Sequence, residues 1–215
     1  LKYIAKKMNR KLTIMVSGMN QPLGRCIGNA IEVLEAQDFL SGNVDYTPDL
    51  KTLIYQLISV VLRTYKHVTY KQALEMVDKQ VKSGKALKKF YEWIVAQGGN
   101  LKLLQTRRFF NPKYRYIIKA KKSGYLSFVS NAAVGMMSTK LGAGRILKTD
   151  KIDPQAGLWF HFKSGDKVKK GQTVCVVEAM KLENDVVSEF DGEVTEILVT
   201  KGASIASKAP LMIVK

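Results

Sequence analysis

The sequence is poor in cysteine and histidine. Its two cysteines, Cys26 and Cys175, lie far apart, which excludes a disulfide framework and a cysteine-based zinc site. The two histidines, His67 and His161, have no acid or nucleophile placed beside them by the sequence, so neither indicates a catalytic pair. We therefore expect a protein of the reducing cytoplasm.

Long apolar runs are also missing. The longest candidate, Leu53–Leu62, is interrupted by Tyr55, Gln56 and Ser59 and falls short of the roughly 18 residues that span a bilayer. The N-terminus has no initial methionine, no signal-peptide core and no small-residue cleavage site. We expect no membrane segment, and we interpret the chain as part of a longer polypeptide.

Acidic residues are few. The 18 aspartates and glutamates are outnumbered by 35 lysines and arginines, which gives a formal net charge of +17. Such an excess can indicate nucleic-acid binding. Here only Lys119–Lys122 and Lys167–Lys170 are dense, and no RNA-binding aromatic motif, zinc finger or basic zipper occurs. We interpret the charge as a solvated surface that attracts small anions such as phosphate, and we expect no nucleic-acid partner.

The beginning of the chain predicts one strand and then a helix. Lys11–Ser17 is β-branched and apolar, which predicts a short buried strand. The loop Gly18–Gly24 follows it, and helical spacing of apolar residues predicts a helix from about Cys26 to Leu40. A strand, a loop and a helix in this order indicate the edge of an α/β domain whose other strands would lie upstream.

Three more helices are predicted in the first hundred residues. Thr47-Pro48 is a helix start, and the helix continues to about Tyr65. The next two helices are Tyr70–Lys82 and Lys85–Gln97, each followed by glycine. The first of the three carries an apolar stripe that we expect to be buried: Leu50, Leu53, Ile54, Leu57, Ile58, Val61 and Leu62.

Beyond Phe110-Asn111-Pro112 the pattern changes to short strands separated by glycine turns, with one helical segment over Asn131–Leu141. The sequence therefore predicts an α+β chain of two domains. Residues 1–110 are mainly helical with the α/β edge, and residues 111–215 are β-rich. The predicted strands are Tyr116–Ile118, Tyr125–Val129, Leu158–Phe162, Thr173–Val177 and Glu193–Val199.

Two similar turns frame Lys181. Residues 163–172 precede it and residues 199–205 follow it, and each segment contains glycine between two strand-like stretches. This repeat is typical of a β-sandwich with two related halves. Lys181 lies between the halves, where a strand must turn, so a modifying enzyme could reach its amine. Small Ala179 and flexible Met180 leave that approach open.

The residues around this lysine carry a first resemblance. Val177–Asn184, with Asp191–Val194 and Ala209–Leu211 downstream, resembles the biotinyl domain of biotin-dependent carboxylases over about residues 163–215. The resemblance implies a barrel-sandwich hybrid fold, biotin in amide linkage on Lys181 and a biotin ligase as partner. Met180 before the lysine favours biotin over lipoate. The alternative is an unmodified turn lysine in a domain that shares only the fold.

Six segments carry a second resemblance: Met19–Val33, Ser83–Leu87, Ala96–Gly99, Ser123–Tyr125, Leu141–Arg145 and Lys148–Asp153. On these segments, residues 12–160 are similar to pyrimidine-nucleoside and thymidine phosphorylases. It implies a helical domain joined to an α/β domain, followed by a β-rich domain. It also implies a homodimer that cleaves pyrimidine nucleosides with phosphate to a free base and a pentose 1-phosphate. The resemblance departs after about Gly171.

The second resemblance also implies a potassium site. Two backbone carbonyls and a helix carboxylate hold the ion in that family, and the matching positions here are Leu23, Cys26 and Glu35. Hard cations take oxygen ligands, and a glycine- and proline-rich loop leaves backbone groups free for a ligand. The alternative is an ordinary loop and a surface glutamate. Gly142–Arg145 looks like a phosphate cradle but matches a structural stretch of the family's β-domain.

The family's phosphate- and base-binding residues all precede the strand at Lys11, so we assign no catalytic residue to this chain. Our preferred interpretation is the C-terminal part of a pyrimidine-nucleoside phosphorylase, a glycosyltransferase of the pentosyltransferase class. The alternative is a biotin carrier domain for a biotin-dependent carboxylase. A third possibility is a dimerisation and support fragment that binds neither ligand.

Overall fold

The computed structural model describes residues 1–179, 192–199 and 212–214. The chain divides into two compact units, Leu1–Leu182 and Glu183–Lys215. The domain boundary predicted near residue 110 lies inside the first unit, where strands from both sides of it share one sheet. Over the described residues, no helix combines the length and the apolar character needed to cross a membrane.

Most helices lie before residue 106, and most strands follow them. The described residues also contain a 3₁₀ turn at Val44–Tyr46 and a π-type turn at Thr139–Ala143. The helices are α1 Lys2–Lys7, α2 Ala30–Leu40, α3 Pro48–Lys66, α4 Tyr70–Lys82, α5 Lys85–Ala96, α6 Leu101–Gln105 and α7 Asn131–Ser138. The strands are β1 Cys26–Gly28, β2 Tyr114–Lys119, β3 Gly124–Tyr125, β4 Gly157–Phe160, β5 Lys167–Val168, β6 Thr173–Ala179, β7 Val194–Ile197 and β8 Met212–Val214.

Helices α3 and α4 begin at the signals that the sequence provides. Pro48 occupies the first turn of α3, where its missing N–H leaves no intrahelical bond unmade. At α4, Gln72 N donates to Thr69 Oγ1 while Thr69 N donates to Gln72 Oε1 at 2.9 Å, which forms a capping box. The helices pack around a core of Phe39, Val44, Tyr55, Val77 and Val81.

The buried face of α3 differs in part from the prediction. Tyr55 and Ser59 are its buried residues, whereas Leu57, Ile58 and Val61 are 46%, 39% and 53% exposed. Leu50, Ile54 and Leu62 do pack against the helical core. The apolar stripe is therefore wider than the surface that its neighbours cover.

A four-stranded antiparallel sheet in the order β1-β4-β6-β2 forms the second core of the first unit. Leu158, Phe160 and Cys175 form its buried hydrophobic cluster, and Phe128 meets Phe160 edge-on with ring centroids 5.0 Å apart. A separate pair of strands, β3 and β5, lies in the same unit. In the second unit, β7 pairs with β8 in antiparallel register.

Two predicted elements near the beginning were wrong. Lys11–Ser17 forms no strand and is mostly exposed, with Val16 at 91%, because no described strand lies beside it to pair with its backbone. The helix predicted from Cys26 begins at Ala30 instead, since Cys26–Gly28 pairs with β4 as strand β1. Lys11–Ser17 is therefore not the edge strand of an α/β sheet, as was predicted.

The mixture of helices and sheet confirms the α+β class. Four of the five predicted strand positions hold strands of similar extent, while the stretch predicted at Tyr125–Val129 is reduced to β3. The barrel-sandwich hybrid with a biotinyl hairpin depends on Lys181 and the residues around it, which lie outside the described residues.

Candidate functional site

The segment Gln21–Arg25, called here the anchored loop, connects the exposed N-terminal stretch to β1. Side chains from α2, α3 and the segment after β4 all bind its backbone. A short loop would not hold one conformation by itself, so these three sets of contacts define its shape. This loop contains one of the three predicted potassium ligands, Leu23, and the other two lie nearby.

Helix α2 contributes Glu35. Arg25 N donates to Glu35 Oε1 at 2.7 Å, and the amide of Cys26 donates to the same carboxylate. Gly24 lies against this carboxylate so closely that a Cβ on residue 24 would collide with Glu35 Oε2. Its φ of +69° also lies in the left-handed region, which favours glycine, and the Glu35 carboxylate would have to shift to admit a Cβ.

The Glu35 carboxylate has no ion-pair partner among the residues that the structure describes. Burial raises the pKa of Glu35, and the amides of Arg25 and Cys26 oppose that rise by bonding to the charged form. The neighbouring Arg25 guanidinium turns away and donates to the carbonyls of Tyr46 and His161. The site therefore presents a partly desolvated negative charge that a bound cation would compensate.

Lys163 approaches the anchored loop from the segment after β4. Its ammonium donates to the carbonyls of Pro22 and Gly24, the latter at 2.5 Å, and lies 2.8 Å from Asp49 Oδ2. Asp49, in the first turn of α3, also accepts from Gly24 N at 3.2 Å. The lysine side chain is only 11% exposed, so this charge is held by the protein rather than by water.

Three further bonds tie the anchored loop and the residues beside it to the β-rich part of the first unit. Ser164 N donates to Gln21 Oε1 at 2.9 Å, and Phe160 N donates to Arg25 O at 2.8 Å. Asn131 Nδ2 donates to the carbonyl of Met19, just before the loop, at 3.2 Å. The loop conformation therefore depends on residues more than a hundred positions away in sequence.

The predicted ligands Leu23, Cys26 and Glu35 line one cavity of about 590 Å³ between α2, α3 and α7. Its remaining wall is mainly apolar, with Glu32 as the other acidic residue. The structure thus brings the three positions together. Within the described residues, no group of three or more histidine, cysteine or acidic side chains could hold a metal ion, so a cation here would rely on backbone carbonyls.

The two cysteines are unsuited to nucleophilic chemistry. Burial and the charges of Glu35, Glu32 and Glu178 raise the pKa of the Cys26 thiol far above its ordinary value. Burial likewise raises the pKa of Cys175 to about 12. The thiolate is the reactive form, so burial disfavours nucleophilic attack by either residue at neutral pH. Cys26 could therefore serve a cation only through its carbonyl oxygen.

Among the residues that the structure describes, neither histidine is paired with an acid or a nucleophile. His67 follows α3 with a positive φ of 54° and is exposed. His161 stacks on Trp159 with ring centroids 4.8 Å apart, and its Nε2 is buried without a hydrogen-bond partner. A stacked ring without an acid beside it indicates a packing role.

Glu178 belongs to the motif around the predicted acceptor lysine, and it is buried. Its Oε1 binds Arg115 of β2, with Nη2 at 2.6 Å and Nε at 2.9 Å, while only 1% of its side chain is exposed. This ion pair joins β6 to β2 and indicates a structural role for the glutamate. Lys181 itself lies outside the described residues, so its presentation is not observed.

Sequence reasoning missed Lys163 and Asp49. The sequence marks the turn that contains Lys163 only as a link between strands, and it gives Asp49 no role. A lysine in a lysine-rich chain gives no local sign of burial. The one available signal was the short turn Lys163–Asp166, in which Asp166 Oδ2 accepts from Lys163 N at 2.8 Å and fixes the start of the turn.

Comparison with known proteins gives one matching family and several relatives. Residues 125–194 match the family model described as the pyrimidine nucleoside phosphorylase C-terminal domain. A thymidine phosphorylase of Metamycoplasma hominis is 41% identical over 180 residues, which cover 83% of this chain and 65% of that protein. A thymidine phosphorylase of Mycoplasmoides pirum is 38% identical over 191 residues, covering 88% of this chain and 46% of that protein.

A pyrimidine-nucleoside phosphorylase of Staphylococcus aureus is 36% identical over 195 residues, which cover 89% of this chain and 45% of that protein. The chain thus spans between about half and two thirds of the length of these relatives. The similarity extends over most of the chain and corresponds to the C-terminal phosphorylase portion, which confirms the predicted resemblance to the phosphorylases. The matched residues continue past Gly171, so the departure predicted there was wrong, and the resemblance to the biotinyl domain gains no support.

Proposed function

We propose that this chain is the C-terminal part of a pyrimidine-nucleoside phosphorylase that cleaves thymidine or uridine. Phosphate would displace the base at the anomeric carbon of the sugar, so that the C–N bond breaks, a C–O bond forms and the base leaves with a proton. The observation that carries the proposal is the similarity over 83–89% of the chain to proteins named thymidine or pyrimidine-nucleoside phosphorylase.

The anchored loop is the contribution that we assign to this chain. We assign it no acid, base or nucleophile, because the side chains of Asp49 and Glu35 hold its backbone and its own Gln21 side chain accepts from Ser164 N. Its rigid backbone would instead form one wall of a site whose phosphate- and base-binding residues belong to a more N-terminal part of the enzyme. Preorganised backbone groups serve such a role without reorganisation during the reaction.

We also propose that a potassium ion binds the carbonyls of Leu23 and Cys26 and the carboxylate of Glu35. All three positions offer oxygen, and the Glu35 carboxylate lacks a cationic partner in the described part of the chain. The ion would supply the missing positive charge and hold α2 against the loop. Homodimerisation and a cytoplasmic location are proposed on the family resemblance alone, and sedimentation of the purified protein tests the dimer.

The potassium site predicts ion-specific stabilisation. We expect the thermal midpoint of the wild-type chain to rise by roughly 2–6 °C on replacing tetramethylammonium chloride with potassium chloride at equal ionic strength, because the ion binds only the folded state. Glu35→Gln should abolish the difference, whereas Glu75→Gln, which removes an exposed carboxylate from α4, should keep it. An equal potassium effect in wild type and Glu35→Gln would contradict the site.

The proposed activity can be tested with a chimera in which this chain replaces the matching region of the Metamycoplasma hominis relative. We expect release of thymine or uracil that depends on phosphate. The isolated chain should release none, since no catalytic residue is assigned to it. A chimera that folds and assembles like its parent, yet releases no base, would contradict the proposal.

A biotin carrier with biotin on Lys181 is the second candidate. The sequence motif favours it, but residues 125–194, which include this lysine, match the phosphorylase domain, so the first proposal is preferred. Intact mass after coexpression with a biotin ligase separates the two. A gain of one biotinyl group that Lys181→Arg abolishes would establish the carrier, and an unchanged mass would exclude it.

A further inference from the structure

We propose that the ammonium group of Lys163 acts as a built-in monovalent cation that fixes the backbone of the anchored loop. The group lies 2.5 Å from the carbonyl oxygen of Gly24 and 2.8 Å from Asp49 Oδ2, and it also donates to the carbonyl of Pro22. Two carbonyls and one carboxylate form an oxygen-only set that an alkali cation would also accept.

The hydrogen bonds of this ammonium group are complete. A charged lysine has three N–H donors, and Lys163 has three acceptors, one for each donor. Such a buried charge is tolerated only where an opposite charge and full hydrogen bonding replace water. Asp49 provides the opposite charge, and the loop carbonyls provide the remaining acceptors. The ammonium group of Lys163 therefore has no donor left for another partner.

The same pair of charges fixes both polar groups of one peptide segment. Lys163 binds the carbonyl of Gly24, while Asp49 Oδ2 accepts from the amide of Gly24 at 3.2 Å. With Pro22 also bound, the carbonyls before and after Leu23 are both in use. Lys163 thus fixes the residues on both sides of Leu23 and does not bind the carbonyl of Leu23 itself.

Lys163 is a positioning residue in this arrangement, because it acts on the loop rather than on a substrate. Its effect on the loop rests on the contacts alone. Its consequence for a cation at Leu23, Cys26 and Glu35 rests on the proposed function. The chain therefore places two cations at one loop: a covalently tethered one from the segment after β4, and an exchangeable one beside α2.

Chemical rescue tests the proposal in the full chain. Lys163→Ala removes three methylene groups and the ammonium, a fragment that matches n-propylammonium. We expect a fall of the thermal midpoint on the order of 10 °C, because Asp49 loses its partner charge. Millimolar n-propylammonium should recover much of that fall, whereas propan-1-ol, of equal length and no charge, should not. Lys169→Ala, at an exposed position six residues on, should change neither midpoint nor amine response.

Hydrogen exchange separates loop positioning from general stability. In Lys163→Ala, the amides of Gly24 and Arg25 should exchange about tenfold faster or more, while that of Val77 in the helical core keeps its protection. Lys163→Met keeps the packing and loses the charge, so it should show the same local loss without rescue by the amine. Wild-type protection of Gly24 and Arg25 in Lys163→Met would overturn the proposal.

Asp49→Asn provides a second variant should Lys163→Ala fail to fold. It leaves the ammonium in place without its counter-charge, and the Gly24 amide should again lose protection; unchanged protection would overturn the proposal. None of these measurements uses nucleoside or phosphate. An inactive phosphorolysis chimera would therefore leave the Lys163 result standing, and a failed rescue would leave the proposed activity standing.

Discussion

Burial changes the ionisation of individual side chains in both cores. The hydroxyl of Tyr55 donates to Asp78 Oδ1 at 3.3 Å, and burial, together with the negative charge of Asp78, raises the pKa of Tyr55 to about 12. The unfolded chain loses this proton near pH 10, before the folded chain does. The contribution of Tyr55 is therefore complete below pH 10 and declines as the pH rises towards 12.

The variant Tyr55→Phe tests this linkage. At pH 8 we expect it to be less stable than wild type by about 1 kcal/mol, because the hydrogen bond to Asp78 is lost. At pH 11 its stability relative to wild type should improve by about 1.4 kcal/mol, since only the wild-type unfolded state gains a phenolate. Urea unfolding at the two pH values gives the comparison. A pH-independent difference would show that Tyr55 does not titrate as its surroundings require.

Some residues of the candidate site can be predicted from the sequence and others cannot. Leu23, Cys26 and Glu35 were found because a family motif aligns with them, and the structure places them around one cavity. Lys163 and Asp49 were not found, because their meeting joins segments more than a hundred residues apart. Nothing local distinguishes a buried lysine from the many exposed ones.

At the scale of elements, the contact between β1 and the segment before β4 leaves no space for a side chain. Gly28 has a φ of +146°, and a Cβ there would lie 2.5 Å from the carbonyl oxygen of Ala156 and 2.9 Å from Gly157 Cα. Both neighbours are backbone atoms and cannot move aside without shifting a strand. Gly28 therefore allows β1 to pair with β4 and sets the position of the anchored loop that precedes it.

Gly28→Ala should accordingly lower the free energy of unfolding by about 2–4 kcal/mol, from backbone strain and overlap together. The matched control is Gly135→Ala in α7, where a Cβ meets nothing within 4 Å and the better helix former should add about 1 kcal/mol. Denaturant unfolding of both variants measures the difference. Equal stabilities would refute the close approach at Gly28.

Helices could be predicted from the sequence where capping residues and glycines next to them mark their ends. Thr69 and Gln72 mark the start of α4, and glycines follow α4 and α5, so these helices were predicted within a residue or two. The strand predicted at Lys11–Ser17 and the helix predicted to begin at Cys26 were wrong for the same reason. Whether a short apolar stretch becomes a strand depends on a partner strand, which the stretch itself does not specify.

At the scale of the whole molecule, the chain is a helical core and a sheet core joined within one unit, with a second unit after it. The anchored loop lies where these two cores meet in the first unit, held by Asp49 on the helical side and Lys163 on the sheet side. The net charge of +17 favours the accumulation of small anions around the molecule.

The most direct test of the central claim is the product balance of the chimera with the Metamycoplasma hominis relative. Uridine or thymidine is supplied with inorganic phosphate, and base and pentose 1-phosphate are quantified together by chromatography. We predict equal amounts of the two products and none when phosphate is omitted. A chimera that assembles like its parent but forms no pentose 1-phosphate would contradict the assignment of this chain to pyrimidine-nucleoside phosphorolysis.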